Sequence, residues 1–134
     1  MICAASPGST AEPLTIDARE ALARTTTGDL TIIDIRRPEE WQATGLPEGA
    51  VGATIRFGRG DGGFLARIRE VTGGRKDAPI ALICAQGVRS AYAASLLGRH
   101  GYTQVHDISE GMLGSQAGPG WLDRRLPVDS CETC

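Results

Sequence analysis

Cys84-Ala85-Gln86-Gly87-Val88-Arg89-Ser90 sets a thiol where an apolar run, Pro79 to Ile83, gives way to a segment of helical patterning. Successive backbone N–H groups in a short loop that feeds a helix converge on one anion, and the helix N-terminus adds partial positive charge. Here the anion would be sulfur. A cysteine in such a setting is drawn toward its thiolate, the form that attacks electrophiles, so Cys84 is the candidate nucleophile. Arg89 has two readings: its guanidinium touches an anionic donor, or it braces the loop through Asp34 or Glu40 as a bidentate pair. Ala85, Gln86 and Val88 carry no charge. The loop therefore offers an anion only Arg89 and its amides.

Other groups deserve weighing against blander roles. Asp34 lies in a β-branched run and needs a partner if buried, so it reads as structural, orienting the loop from a neighbouring strand end. Arg36 reads as an exposed, solvated arginine that could assist anionic substrates. His100 and His106 spell no necessary Cys–His pair, and Trp41 and Trp121 read as core aromatics. Gly58, Gly60 and Gly63 formally spell Gly-x-Gly-x-x-Gly, but two strands precede them and no acidic residue follows at the required distance, so a rim loop is preferred to a dinucleotide site. Cys131 and Cys134 form a terminal Cys-x-x-Cys. It could be a redox pair, half a zinc site or a tail that accepts sulfur from Cys84; zinc wants four ligands, and no metal is expected.

The elements that must position these groups alternate. Asp17 with Glu20 three residues on reads as a helix start, with Ile16 stapled onto Ala21 and an apolar stripe at Ala18, Ala21 and Leu22. Leu30 to Ile35 reads as a buried strand, Pro38 opens a brief helix ending by Gly45, and Ala50 to Ile55 is another strand. Phe64 to Val71 has helical spacing and stops at Gly73-Gly74. After the Ile80 to Cys84 strand and the thiol loop, Ala93, Leu96, Leu97 and His100 share one helical face, with Gly101 past its end. Gln104 to Ile108 returns as a last strand. Strands alternating with helices predict an α/β fold, a largely parallel central sheet with helices on both faces, and ligands beyond the carboxyl ends of its strands. Cys84 lies at such an end.

The 134 residues suit one domain: a loose lead-in over 1–13, a core-bearing unit over 14–128 and a Cys-x-x-Cys tail over 129–134. A net charge of −2, with thirteen Arg to one Lys and no basic patch, disfavours nucleic acid. No apolar run reaches the length of a membrane span, and the start lacks a signal-like pattern, so no membrane is expected and the location reads as cytoplasmic. Cys3 and the tail pair lie near the termini, away from Cys84, unlike a disulfide scaffold.

Two blocks together resemble the rhodanese family of sulfurtransferases over roughly Leu14 to Val128. The first is Ile33-Asp34-Ile35-Arg36-Arg37-Pro38-Glu39-Glu40-Trp41 with Gly45 and Gly49-Ala50. The second is Cys84 to Ser90, similar to the family's Cys-x-x-Gly-x-Arg-Ser loop, followed by Gly111, Trp121 and Leu126-Pro127-Val128. One departure is Gly45-Leu46-Pro47-Glu48-Gly49-Ala50, where the family usually carries a histidine after the first glycine; its loss is expected to touch packing more than chemistry.

The resemblance implies a rhodanese-like fold and a two-step displacement without cofactor. Cys84 takes a sulfane sulfur from a small donor such as thiosulfate, holds it as a persulfide within the Ala85–Ser90 loop, and passes it to cyanide, a small thiol or a protein thiol. Asp34, Arg36 and Glu40 are its expected supporting residues, and Cys131 and Cys134 its candidate relay. The alternatives are a non-catalytic module of the same fold and, less favoured, a phosphatase or arsenate reductase. Phosphatase loops place five residues between Cys and Arg, whereas four stand here, and the tighter ring suits one sulfur anion better than a phosphoryl group.

Overall fold

The computed structural model describes residues 13–57 and 59–134, so the lead-in with Cys3 and the first glycine of the Gly58 motif lie outside the described residues. Five short strands form one parallel sheet. In chain order they are β1 (Leu14–Thr15), β2 (Thr31–Asp34), β4 (Val51–Gly52), β5 (Ile80–Ile83) and β6 (Val105–Asp107), arranged spatially as β1-β6-β5-β2-β4. A separate antiparallel pair joins β3 (Leu46–Pro47) to β7 (Val128–Asp129). The helices are α1 (Ala18–Thr26), α2 (Pro38–Thr44), α3 (Gly62–Thr72) and α4 (Val88–Arg99). None of these is long and apolar enough to cross a membrane.

β5 is apolar at every position and β2 nearly so, Asp34 at its end apart, because both faces of the sheet are covered. Ile33, Ile80 and Leu82 meet Phe64 and Ile68 of α3 and Ala93, Ala94 and Leu97 of α4 on one face. Ile32, Ala81 and Ile83 meet Ala18 and Ala21 of α1, Met112 and Trp121 on the other. Each fully buried isoleucine or leucine here contributes about 1.5–3 kcal/mol of transfer free energy, so two-faced burial holds even four-residue strands in place.

Local signals explain the boundaries. Asp17 caps α1 by accepting the Glu20 N–H at 2.8 Å. Pro38 opens α2, and Gly45 ends it, as expected. Gly73, left-handed at φ 64°, closes α3. The Leu30–Ile35 strand is trimmed to Thr31–Asp34, and the Ala50–Ile55 strand to Val51–Gly52. Backbone bonding nevertheless continues past both: Ala53 N–H donates to Asp34 O at 3.0 Å and Ile55 N–H to Ile35 O at 3.1 Å. His100 is exposed as the last cap of α4 and does not join its apolar face. Trp121 is wholly buried, with its indole N–H on Pro127 O at 2.9 Å. Trp41 is only half-buried; it lies against Gly52, where a Cβ would strike its ring, and its indole nitrogen has no partner.

Candidate active site

Residues 84–87 leave β5 and bend directly into α4. Gly87, at φ 90°, makes the turn, and a Cβ there would collide with the Ser109 carbonyl. Only glycine serves. No side chain caps α4. The Cys84 sulfur takes that place, accepting the Gly87 N–H at 3.1 Å and the Ser90 N–H at 3.4 Å, while the thiol reaches the Ser90 hydroxyl at 3.5 Å. Two N–H groups thus converge on one sulfur at the N-terminus of α4.

The loop is held from behind. Met112 and Leu113 donate their N–H groups to Cys84 O and Ala85 O, both at 2.9 Å. Gly111 makes that approach possible, since a Cβ would strike the Ala85 carbonyl. Glu110, buried next to it, binds Ala18 N–H at 2.8 Å, Gly120 N–H at 2.8 Å and Arg124 Nε at 2.7 Å. Burial alone would push the Glu110 carboxyl up; the Arg124 guanidinium and the two amides outweigh it and hold the group below its ordinary value. One carboxylate therefore ties α1, the 109–113 segment and the chain near Gly120 into the wall behind the thiol.

Cys84 itself is 1% exposed and free of any disulfide. The sulfur lies beneath the loop whose amides are aimed at it.

Of the two readings of Arg89, the structure shows the brace through Glu40. Its guanidinium meets the carboxylate through two bonds of 2.7 and 2.9 Å. Glu40 also accepts the Arg37 N–H at 3.2 Å, so the cap of α2 and the loop share one carboxylate. The Arg89 hydrogen bonds pull Glu40 below its ordinary value against a smaller opposing push from burial, and the pair raises Arg89 in turn.

Arg36 corrects the sequence reading. It is 1% exposed, not solvated, because Asp34 two residues earlier is buried and bonds it at Nε (3.0 Å) and NH2 (2.8 Å). Its remaining donors reach Thr44 Oγ and Gly45 O, each at 3.0 Å. The Asp34–Arg36 pair fixes the β2–α2 turn and makes no bond to Arg89.

Cys131 and Cys134 meet at the end of the chain, Cα atoms 5.7 Å apart, and β7 pairs the stretch just before them with β3. Gln42 donates to Cys134 O at 3.0 Å. Gln42 and Glu40 are two residues apart on α2, about 200° around the helix, so the tail lies across α2 from Arg89. Neither histidine approaches the thiol: His100 ends α4, and His106 pairs in register with Ala81 on the sheet face away from Cys84. Burial lowers the His106 imidazole, whose Nδ1 is unpartnered. Among the described residues no cluster of three or more His, Cys, Asp or Glu could hold a metal.

Sequence reasoning missed Glu110, Ser109 and Asp107. Asp107 is buried, accepts from Ser109 Oγ at 3.2 Å and leaves Oδ1 unpartnered. Burial pushes its carboxyl up, with the Ser90 and Ser109 hydroxyls pulling the other way. The one available signal was three polar or acidic residues packed into the apolar return strand and its turn.

This geometry has known relatives. An uncharacterized protein, RP600, of Rickettsia prowazekii is 28% identical over 102 residues, which cover 72% of this chain and 80% of that protein. A polysulfide-sulfur transferase homodimer from Wolinella succinogenes is similar in structure, with a TM-score of 0.68 at 21% identity over 89% of this chain and 80% of that one. A Rhodopseudomonas palustris protein of unknown function, described as a possible tyrosine phosphatase, is 25% identical with a TM-score of 0.59, over 89% of this chain and 85% of that one. The family model for the rhodanese-like domain matches residues 17–117, and on that match, with its parallel sheet and its loop from Cys84 to Ser90, the chain belongs to the rhodanese-like domain family.

Proposed function

We propose that this domain is a sulfurtransferase that carries a sulfane sulfur on Cys84 as a persulfide. The observation that carries the reading is the pair of N–H groups, from Gly87 and Ser90, directed at a free Cys84 sulfur at the start of α4. The thiolate attacks the outer sulfur of a donor; an S–S bond forms to Cys84, and the donor's own bond to that sulfur breaks, its electrons leaving with a group such as sulfite. An acceptor thiolate or cyanide then attacks the outer sulfur, and the S–S electrons return to Cys84. Neither step needs a general acid when the leaving group is a stable anion, and the kinetics are ping-pong. The amides serve both halves, since sulfur is anionic before and after; one well-aimed donor of this kind is worth about 3–4 kcal/mol. The Wolinella neighbour, named as a polysulfide-sulfur transferase, shares this fold.

The phosphatase reading draws on the Rhodopseudomonas relative. Against it stand the four-residue spacing from Cys84 to Arg89, the engagement of Arg89 by Glu40, and a nearly covered sulfur that a terminal sulfur atom approaches more readily than a phosphoryl group.

Intact mass spectrometry after incubation with thiosulfate, polysulfide or an organic persulfide tests the proposal. The wild type should gain one sulfur mapped to Cys84 and lose it to cyanide, and Cys84→Ser should neither load nor turn over, a drop of about 10³-fold or more. Absence of loading from every donor, or phosphate release from an aryl phosphate instead, would overturn it. Cys131 and Cys134 serve as a relay only in their reduced form, because a disulfide offers no accepting thiolate. A relay through them requires prior reduction; equal discharge into a thiol by the oxidised and reduced protein would remove it.

A further inference from the structure

We propose that the recess bearing Arg56 and Arg59 is an anchoring subsite for the carboxylates of an organic thiol or persulfide whose sulfur reacts at Cys84. The inference rests on the sulfurtransferase reading and names the class of molecule that the site takes.

Register places Arg56 two strands from Cys84 along the carboxyl edge of the sheet. Ile55 N–H bonds Ile35 O, and Ile35 N–H bonds Ile83 O, so the three residues line up across the carboxyl edge of the sheet. Arg56 follows Ile55, and Cys84 follows Ile83. Two strand spacings, about 10 Å, therefore separate their backbones. The loop after β4 is tied to the helix that leaves the thiol loop: Phe57 stacks edge-on against Tyr92 of α4, centroids 5.1 Å apart, and the Tyr92 hydroxyl donates to Asp61 at 3.0 Å. In the same loop, Thr54, Arg56, Arg59 and Gly60 join Gly63 and Phe64 of α3 in lining a recess of about 200 Å³.

Charge then singles out the two arginines. Every cation expected to serve an anionic substrate is engaged elsewhere, Arg36 by Asp34 and Arg89 by Glu40. Arg56 and Arg59 form no ion pair among the described residues, and the loop's own acid, Asp61, accepts from Tyr92. Both are exposed at the carboxyl end of the sheet, where such folds take their ligands. Arginine presents a planar fork that matches a carboxylate in two parallel bonds.

Size selects the class. In thiosulfate the reacting sulfur and the charged group are one bond apart, so it cannot meet Cys84 and the recess together. A peptide-sized thiol with a carboxylate several bonds from its sulfur can, and the recess is too small for a dinucleotide, whose glycine signature overlaps it.

The test compares acetyl-Cys-Glu, which carries two carboxylates, with its uncharged diamide, acetyl-Cys-Gln-amide. As acceptors for the Cys84 persulfide, the diacid should show a KM about tenfold lower in the wild type, corresponding to about 1.4 kcal/mol. In Arg56→Gln/Arg59→Gln the ratio should fall to about one. Calorimetric titration with the S-methylated diacid, which cannot react, should show the same loss of affinity in the double variant and weakening with salt. Equal KM values in the wild type, or a preference that survives the double substitution, would overturn the subsite while leaving the persulfide cycle standing. If Cys84 loads no sulfur, the functional reading falls, and calorimetry alone decides: arginine-dependent binding of the diacid upholds the subsite, and its absence overturns it.

Discussion

The guanidinium of Arg89 and the carboxylate of Glu40 face each other fork to fork at 2.7 and 2.9 Å, so the only cationic side chain in the Cys84 loop is engaged by α2. Arg89 then acts by holding the loop's shape, and Glu40→Gln and Arg89→Lys should produce the same fault. Each should cost about 1 kcal/mol of stability, the modest value suited to a partly exposed pair. Each should also slow sulfur loading with little change in the choice of acceptor. The double variant should lose no more than either single one, a coupling read from urea unfolding and turnover together. Additive losses would mean that Arg89 also touches the donor.

Asp34 and Arg36 make a different kind of pair. Both are essentially without solvent, and removing one partner strands a charge in the interior. Asp34→Ala should therefore destabilise the domain by about 3–5 kcal/mol, whereas Asp34→Ala/Arg36→Met should recover much of that loss. Denaturant midpoints at constant slope check both. A mild Asp34→Ala variant would show that Thr44 and Gly45 suffice to satisfy Arg36.

The contrast between these pairs shows what sequence alone can tell. The Arg89–Glu40 brace was one of two legible options, because both residues belong to recognisable blocks and arginine favours bidentate carboxylates. Cys84 and the cap at Asp17 were legible from local pattern: a thiol where an apolar strand meets a helix, and an Asp three residues before a Glu at a helix start. Arg36 was not, since long charged side chains are almost never fully buried unless paired, and its partner lay inside an apolar strand. The β3–β7 pair, two residues on each side, is too short to show a period. Glu110 joins Ala18 across 92 residues of sequence, a link that only the closed fold displays. The recess at Arg56 depends on register between strands, which periodicity does not encode.

Asp107 offers a pH signature close to the thiol. Its carboxyl is raised above the ordinary 3.8, mainly by burial, so the folded state holds this proton more tightly than the unfolded chain does. Linkage then makes its contribution fall as pH rises through the window from 3.8 up to the raised value, because there the native state binds more protons than the unfolded one. Asp107→Asn removes the titration and supplies an amide where Oδ1 has no partner. Urea unfolding of the two proteins should show the variant gaining on the wild type as pH is raised from 3.8 through the raised value, then holding a constant difference. Glu40 and Glu110, held below their ordinary values, act in the opposite direction but equally in both proteins, so they cancel in the comparison. Parallel stability curves across that range would mean that the Ser90 and Ser109 hydroxyls fully offset the burial of Asp107.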